Sequence, residues 1–218
     1  MDDADQVLAY AAADFDASDQ AMVERLAERC GQDPGPQLLD LGCGPGNIAF
    51  RLARRWPDAE VLGLDGAPRM LALARQRLAA EPALQRRLSF AEARLPLAAI
   101  PSAPQPWRRP FSTLVSNSLL HHLHDPAVLW RALPALAAPG AFVYLQDLRR
   151  PASAVALEGL VATEMVGAPE VLRHDYRASL HAAFTPEEVR LQLAAAGLQS
   201  LRVAALGARY LEVWGRLA

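Results

Sequence analysis

The sequence predicts a single α/β domain in which a doubly wound, mostly parallel sheet of seven strands carries helices on both faces. Three observations lead to this fold class. Short apolar runs alternate with segments of helical period, four of those runs end in an acid or an amide, and a glycine-rich turn follows the first run. Such alternation is typical of parallel sheets covered on both faces. A length of 218 residues and a hydrophobic content of 52% suit one packed domain over residues 1–218.

The composition argues against several classes of partner. A net charge of −2 disfavours strong nonspecific binding to nucleic acid. The two cysteines, Cys30 and Cys43, have no metal-ligand spacing, and we expect no metal site. The acidic start of the chain lacks the features of a signal peptide, and no apolar run reaches membrane-spanning length. We therefore expect a cytoplasmic protein without a membrane partner, as a monomer or a homodimer.

The first 92 residues are predicted to alternate helices with buried strands. An N-terminal helical segment, residues 1–31, contains a helix from Ser18, a typical N-cap, to residue 30. A second helix runs from Gly46 to about Trp56 with apolar residues at a spacing of four, and Pro68 begins a third. The apolar runs between them predict strands over residues 38–41, 61–64 and 88–91.

The middle of the chain continues the pattern with one interruption. Five prolines between residues 95 and 110 predict a loop where a helix would otherwise stand. A fourth strand is expected over residues 113–117. Asp125-Pro126 begins the next helix, in which Pro134 is a candidate kink. Pro139-Gly140 is predicted to turn the chain into a fifth strand, residues 141–147.

The last third departs from simple alternation. Residues 149–184 are predicted to form a helical insertion that covers the site as a lid. Thr185 then begins a helix as its cap, with proline and glutamate in the first turn, and Gly197 ends it. Two final strands, residues 201–204 and 210–214, are predicted to form a hairpin.

The glycine-rich turn carries most of the functional information. Gly42, Gly44 and Gly46 follow the first strand with the spacing G-x-G-x-G, which differs from the G-x-G-x-x-G of dinucleotide-binding turns. This motif resembles the first motif of the class I S-adenosylmethionine-dependent methyltransferases. The resemblance implies a Rossmann-like sheet with an antiparallel C-terminal hairpin, and S-adenosylmethionine as cofactor. The alternative is a turn whose glycines serve the fold alone.

The acids at the strand ends fit a nucleoside ligand, because ligands of open parallel sheets bind outside the carboxyl ends of the strands. Asp65 lies 19 residues after Gly46, a distance at which an acid accepts hydrogen bonds from ribose hydroxyls. Its alternative role is to cap the helix near Pro68. In the resembled family, an acid at Glu92 receives the adenine amino group, and an acid at Asp40 holds water or loop amides near the methionine amino group. Glu92 is otherwise an exposed loop residue.

The resemblance assigns the remaining cofactor contacts to small or polar residues of the same edge. Cys43 is expected to be a filler rather than a nucleophile, and Ala93 leaves room for the adenine ring. Related enzymes place a tyrosine-containing N-terminal segment over the cofactor, which would be the role of Tyr10. The predicted cofactor-binding residues are Tyr10, Asp40, Gly42, Cys43, Gly44, Gly46, Asp65, Gly66, Glu92, Ala93 and Asn117.

The region after the fourth strand indicates the kind of acceptor. Leu120-His121-His122 followed by Asp125-Pro126 resembles the small-molecule methyltransferases, whereas adenine-N6 and glutamine methyltransferases carry an Asn/Asp-Pro-Pro-aromatic sequence here. His121, His122 and His124 are too close together for a helical metal-ligand pair at a spacing of four. His122 is the residue expected to take a proton or to orient the acceptor, with a purely structural role as the alternative.

The predicted lid supplies the other acceptor-side candidates. Asp147 stands at the end of the fifth strand, and His174 and Tyr176 lie in a polar stretch that would close over it. Arg149, Arg150 or Arg173 would grip a carboxylate or phosphate of the acceptor. The alternative is a solvated helix face with surface ion pairs. The predicted catalytic residues are therefore His122, Asp147, His174 and Tyr176.

The predicted function is methyl transfer from S-adenosylmethionine to a small-molecule acceptor. Three other functions remain open on sequence alone. The first is a tRNA or protein methyltransferase, the second a non-catalytic module that binds S-adenosylmethionine, and the third an NAD-dependent oxidoreductase, which the glycine spacing disfavours.

Overall fold

The structure, a computed structural model, describes residues 16–97 and 106–218. Tyr10 and residues 98–105 of the proline-rich loop therefore lie outside the described residues. The helices are α1 (Asp16–Cys30), α2 (Asn47–Arg55), α3 (Pro68–Ala79), α4 (Ala127–Leu136), α5 (Ala154–Glu164), α6 (Glu170–Ala182) and α7 (Pro186–Ala195), with short 3-10 turns at Pro106–Arg108 and Leu120–His122. The strands are β1 (Gln37–Leu41), β2 (Glu60–Asp65), β3 (Leu88–Glu92), β4 (Phe111–Asn117), β5 (Ala137–Leu148), β6 (Arg202–Leu206) and β7 (Tyr210–Arg216).

The seven strands form one sheet in the order β3-β2-β1-β4-β5-β7-β6. Strands β1 to β5 pair in parallel, while β7 runs antiparallel to both β5 and β6. The predicted fold class, including the C-terminal hairpin, is confirmed. Strands β1 and β4 are neighbours, but the helices that follow them, α2 and α4, pack on opposite faces of the sheet. That switch point is where a crevice opens in such sheets.

Each face of the sheet is covered by its own set of helices. Leu38 at the buried core of β1 packs with α1 and α2, whereas its neighbour Leu39 packs with α4 and α7 on the other face. This follows from the alternation of side chains along a strand. A third, smaller cluster joins α5 and α6 to Leu148 at the end of β5 and to Tyr210 at the start of β7.

Helix α1 is fixed to the sheet by buried polar contacts as well as by apolar packing. Arg25 donates from Nη2 to Oε1 of Gln146 at 2.6 Å, and Arg29 pairs with the buried Glu212 at 2.5 Å. The Arg29 guanidinium also lies 4.1 Å from the centroid of the Trp214 ring. Removing either arginine would leave a buried acceptor unpaired, so α1 is bound in a defined register.

Two local predictions have different outcomes in the structure. The start of α7 is a complete capping box: Oγ1 of Thr185 accepts from the amide of Glu188 at 3.3 Å, and Oε2 of Glu188 accepts from the amide of Thr185 at 2.8 Å. The predicted start of the fifth strand at residue 141 is wrong. Strand β5 already begins at Ala137, and Pro139-Gly140 lies inside it, where the register with β4 shifts and Gly140 has φ of +69°.

Within the two described ranges, no helix combines the length and the apolar character that crossing a bilayer requires.

Candidate active site

The turn after β1 brings bare backbone to the carboxyl edge of the sheet. Gly42, Gly44 and Gly46 all have positive φ, at +74°, +52° and +86°. A Cβ at Gly46 would lie 2.8 Å from the ring of Phe90, whereas a Cβ at Gly44 would meet no protein atom within 4 Å. Gly46 is thus required by packing against β3. Gly44 faces open space, where a ligand can approach the backbone closely.

A cavity of about 580 Å³ opens beside this turn, within the usual range of small-molecule sites. It lies at the carboxyl ends of β1, β2 and β4, the switch point of the sheet. Its wall combines polar strand-end residues with apolar side chains, among them Ile48, Met70 and Leu119. The sequence-predicted residues that line it are Asp40, Gly42, Cys43, Gly44, Asp65, Gly66, Ala93, Asn117 and His122.

Asp65 ends β2 and fixes the turn. Its Oδ2 accepts from the amide of Gly44 at 2.7 Å, and its Oδ1 accepts from the amide of Ala67 at 2.7 Å. Asp65 therefore also holds the chain just before α3, close to the capping role that was its alternative. Each carboxylate oxygen has a second lone pair, so the group retains acceptor capacity for hydroxyl donors in the cavity.

Asp40 is a buried acid without a partner. Its residue is 1% exposed, and neither carboxylate oxygen has a hydrogen-bond partner among the described residues. Burial, and then the negative charge of Asp65, raise the pKa of Asp40 to about 8. The backbone amide of Ala49 opposes this rise in pKa, and a cationic or hydrogen-donating ligand group in the cavity would further stabilise the ionised form of Asp40.

The thiol of Cys43 is buried, and that burial raises its pKa well above the ordinary value, with the charge of Asp40 as the next cause. A thiol in this condition is inert as a nucleophile at neutral pH, which supports the role of a small filler.

The chain after β4 is strained where it borders the cavity. Ser118 has φ of +56°, in the left-handed region that non-glycine residues rarely adopt. Its amide donates to the carbonyl of Gln146 at 2.9 Å, which holds this conformation. The preceding Asn117 lines the cavity, and its Oδ1 is buried without a partner in the described part of the chain.

Asp147 at the end of β5 holds the next turn. Its Oδ2 accepts from the amide of Leu120 at 2.7 Å, and its Oδ1 lies 2.6 Å from Nδ1 of the buried His121. The His121 ring in turn lies 4.0 Å, centroid to centroid, from the ring of His122. This chain of contacts connects the end of β5 to the cavity wall.

His122 lines the cavity and remains open to solvent on its outer side. Loss of water around its inner side, followed by the neighbouring His121, lowers the pKa of His122 to about 4. The imidazole is therefore neutral at physiological pH, able to accept a proton or a hydrogen bond.

Known proteins resemble this chain in sequence and in fold. A family model described as a methyltransferase domain matches residues 39–143, the stretch from β1 into β5 that builds the cavity. Residues 39–143 of the chain are thus similar to the methyltransferase domains that this model describes. Trans-aconitate 2-methyltransferase of Streptomyces coelicolor is 35% identical to this chain over 174 residues. The match covers 76% of the chain and 51% of the relative, so the chain spans about half the length of that curated relative.

Solved structures share the methyltransferase fold along nearly the whole chain. A S-adenosylmethionine-dependent methyltransferase from Aquifex aeolicus superposes with a TM-score of 0.67 at 17% identity, covering 96% of this chain and 97% of its own. A plantazolicin methyltransferase, crystallised with a triazolic desmethylPZN analogue and S-adenosylhomocysteine (SAH), has a TM-score of 0.67 at 14% identity, covering 92% of this chain and 83% of its own. At these identities the likeness shows the fold alone.

Not every predicted site residue reaches the cavity wall. Gly46 lies behind the turn, and Glu92 is an exposed residue beside Asp65 in the sheet register that does not line the cavity. Asp147 contacts His121 instead of the cavity. The two candidates of helix α6 differ from each other: His174 is exposed, and Tyr176 is buried against the α5–α6 cluster.

The structure adds cavity residues that the sequence interpretation missed. Arg94, Leu95 and Leu97 line the side near β3, and Asn47 lines the side near α2. Each lies a few positions after a predicted strand end or the glycine turn, so its position in the sequence could have indicated that it lines the cavity. Arg77 of α3 supports the turn from behind by donating to the carbonyl of Pro45 at 2.8 Å, and only the folded chain reveals that contact.

Proposed function

We propose that this domain binds S-adenosylmethionine in the cavity and transfers its methyl group to a small-molecule acceptor, leaving SAH. One observation carries the proposal. The cavity joins a bare glycine backbone to two strand-end carboxylates, and one of these, Asp40, is buried without a partner among the described residues. A ligand with hydroxyl donors and a cationic amino acid end complements such a wall.

The residues present fit this cofactor in kind. Asp65 has free lone pairs for ribose hydroxyls, and Asp40 complements the cationic amino acid end. Gly44 leaves backbone exposed where a side chain would fill the space. Ala93 and Met70 offer small and apolar surface for the adenine ring. A cationic group beside Asp40 would stabilise its ionised form, whereas the two phosphates of NAD would oppose that ionisation, which favours S-adenosylmethionine over NAD.

The bound cofactor supplies a methyl group on positively charged sulfur, which is transferred by in-line displacement. The work of this chain is to align the acceptor and exclude water. His122 is placed at the cavity wall to orient the acceptor or to take its proton, and Asp147 keeps His121 and the 120–122 turn in position behind it. Asp147 is thus proposed as a positioning residue.

For the acceptor, we propose a small carboxylic acid. The support is the trans-aconitate 2-methyltransferase relative, together with the arginines that follow β5. A carboxylate is already ionised at neutral pH, so it needs no strong base, which suits a His122 with a lowered pKa.

The test is calorimetric titration with S-adenosylmethionine, SAH and NAD, followed by a methyl-release assay with trans-aconitate. Binding of the two sulfur ligands, none of NAD, and formation of SAH only with the acceptor are expected. Binding without turnover on any acceptor would favour the non-catalytic module. Binding of NAD alone would favour the oxidoreductase and overturn the proposal.

A variant locates the cofactor within the cavity. Asp65→Ala should weaken SAH binding by about 10- to 100-fold, because hydrogen bonds to a charged acceptor contribute roughly 1.5–3 kcal/mol. The matched control is Asp58→Ala, which removes an exposed carboxylate that does not line the cavity. Equal affinities of the two variants would remove Asp65 from the cofactor site.

A further inference from the structure

Gly66, the residue that follows β2, is a glycine for a reason other than its backbone conformation. Its φ lies outside the left-handed region, unlike those of the three glycines of the turn after β1. A Cβ at Gly66 would lie 2.7 Å from Cγ of Arg94, which is too close for any real contact, whereas the carbonyl oxygen of Ala93 would lie at an ordinary 3.5 Å. The side chain of Arg94 therefore occupies the space that a side chain at position 66 would need.

The ends of β2 and β3 hold Gly66 and Arg94 side by side. Asp65 and Glu92 are the last residue pair of the two strands, and the amide of Ala93 donates to the carbonyl of Asp65 at 2.9 Å, which continues the pairing by one residue. Nε of Arg94 then donates to the carbonyl of Gly66 at 3.0 Å. The Arg94 stem thus crosses the bare Cα of Gly66 and is fixed there through Nε.

The planar end of Arg94 lies at the cavity. Gly66 and Arg94 both line its wall, and Arg94 is an exposed residue at the rim. Among the residues whose positions are described, no carboxylate forms an ion pair with Arg94, and its bond to Gly66 uses only Nε. The fold therefore fixes the stem of this side chain and leaves the two Nη groups to a ligand.

Arg94 stands at the end of the cavity that the proposed function gives to the nucleoside. Asp65, proposed to bind the ribose, directly precedes Gly66 in the chain, and Ala93, proposed to border the adenine ring, directly precedes Arg94. His122, on the acceptor side, follows β4, and two strands separate β4 from β3. The ligand group within reach of Arg94 is thus the base of the cofactor rather than the acceptor.

The charges at this corner favour an aromatic ring over an anion as the partner of Arg94. Asp65 and Glu92 place two carboxylates at the ends of the strands beside a single guanidinium. An anionic group brought to Arg94 would meet both of these negative charges, whereas a neutral nucleobase would not. A planar, weakly hydrated guanidinium stacks well on such a ring.

We propose that Gly66 and Arg94 act as a pair in cofactor recognition: Gly66 lets the Arg94 side chain cross the end of β2, and the Arg94 guanidinium stacks on the adenine ring of S-adenosylmethionine. This rests on the proposed function, because it concerns the same cavity and the same cofactor. Arg94 is a binding residue that the sequence interpretation did not name. Gly66, which the sequence predicts as a cofactor contact, is assigned instead to positioning Arg94.

Calorimetric titration with SAH and with methylthioadenosine, which has the nucleoside but no amino acid end, tests the role of Arg94. Arg94→Ala should weaken binding of both ligands by about fivefold, as expected for the loss of a guanidinium stacked on an aromatic ring. Arg94→Lys keeps the positive charge but loses the plane and the Nε donor, and should lose most of the same affinity. The matched control is Arg86→Ala, which removes an exposed arginine that does not line the cavity and should leave both affinities unchanged.

A double-variant cycle tests the pair. Gly66→Ala should weaken SAH binding by about fivefold when Arg94 is present, because the added methyl group displaces the arginine stem. In the Arg94→Ala background the same change should leave the affinity unchanged, because the clashing Cγ is gone. Equal losses in both backgrounds would show that Gly66 acts independently of Arg94 and would overturn the pairing. Chemical denaturation of each variant establishes that it is folded before the affinities are compared.

The outcomes separate this inference from the proposed function. Unchanged SAH affinity in Arg94→Ala overturns the inference, and so does full affinity in Arg94→Lys, since charge alone would then suffice. A loss confined to SAH, with methylthioadenosine unaffected, would assign Arg94 to the amino acid end and contradict the stacking role. In each of these cases SAH binding by the unmodified protein leaves the proposed function standing, whereas no SAH binding by that protein overturns the proposed function itself.

Discussion

Asp40 is the residue whose charge depends most on what the cavity contains. Its pKa is raised to about 8 by burial and by Asp65, against about 3.9 in an unfolded chain. The folded value is the higher one, so the empty protein keeps a proton that the unfolded chain loses. Stability without ligand should therefore fall as pH rises from about 4 to about 8, by up to roughly 1.4 kcal/mol per pH unit from this group.

A cationic ligand should reverse that preference and release the proton. At pH 7.5 we expect SAH binding to release a fraction of a proton, seen as a difference in binding enthalpy between phosphate and Tris buffers. Asp65 and Asp19 also face this region; burial raises the pKa of Asp19 to about 6, so it is largely ionised at this pH. Asp40→Asn should abolish the buffer dependence. An unchanged dependence would assign the proton to another group.

Asp147 should act on turnover through His121. Asp147→Asn keeps the size of the side chain but removes the charge that orients the imidazole, and we expect kcat to fall by about tenfold or more with little change in SAH affinity. The pH profile should shift together with kcat, because His122 loses its oriented neighbour. A variant that loses stability and SAH binding in equal measure would show a merely structural role.

At the scale of single residues, the backbone position of the glycine turn was predictable. Spacing alone indicated that the three glycines follow β1 and that Asp65 ends β2, while their contacts with a cofactor remain predictions. His174 and Tyr176 are only two residues apart on one helix, yet one is exposed and the other buried. The face of helix α6 that packs against the rest of the protein depends on contacts with distant parts of the chain. The local sequence does not determine which face that is.

The glycine turn is one element, but its glycines are required for different reasons. A Cβ at Gly46 would clash with protein atoms, whereas a Cβ at Gly44 would have no protein atom within 4 Å. Gly44→Ala should therefore cost stability only through its positive φ, about 1 kcal/mol, but should also place a methyl group in the path of the cofactor.

The hairpin between β6 and β7 provides the control for this element. Gly207 has φ of +61° and equally open surroundings. Gly207→Ala should lower the free energy of unfolding by a similar amount and leave SAH affinity unchanged, while Gly44→Ala should reduce affinity by tenfold or more. Chemical denaturation and calorimetry on both variants measure the two quantities. Equal affinities would mean that the cofactor does not approach the turn closely.

Element boundaries were predictable from capping and periodicity, as in the capping box of α7. The exception is β5, where Pro139-Gly140 was interpreted as a turn. Proline and glycine usually end a strand. Here β5 continues through them, and the register of its pairing with β4 shifts at that point. The neighbouring strand decides between those outcomes, so local sequence was insufficient.

For the molecule as a whole, ligand binding should be visible as added stability. A ligand present at 100 times its Kd adds about 2.7 kcal/mol to a protein that binds it only when folded. For a chain of 218 residues this should raise Tm by roughly 5–10 °C with SAH. NAD at the same concentration should give no shift, and a larger shift with NAD would contradict the cofactor assignment.

The strand order was the least predictable property from the residues alone. Alternation of helices and strands indicates a parallel sheet, but many orders satisfy it. The family resemblance implied the antiparallel C-terminal hairpin. Periodicity did not show that β7 lies between β5 and β6, because a periodic pattern describes one strand and not the strands beside it.

The position of β7 has a consequence for how the protein is made. Strands β5 and β6 are both complete before β7 leaves the ribosome, yet they are joined only through it. Until then the nascent chain exposes an unpaired edge of its longest strand, the situation most prone to pairing with other chains. The strands that carry the glycine turn and its carboxylates, β1 and β2, are made much earlier and pair with each other directly. The cofactor side of the cavity should therefore assemble before the C-terminal edge of the sheet is closed.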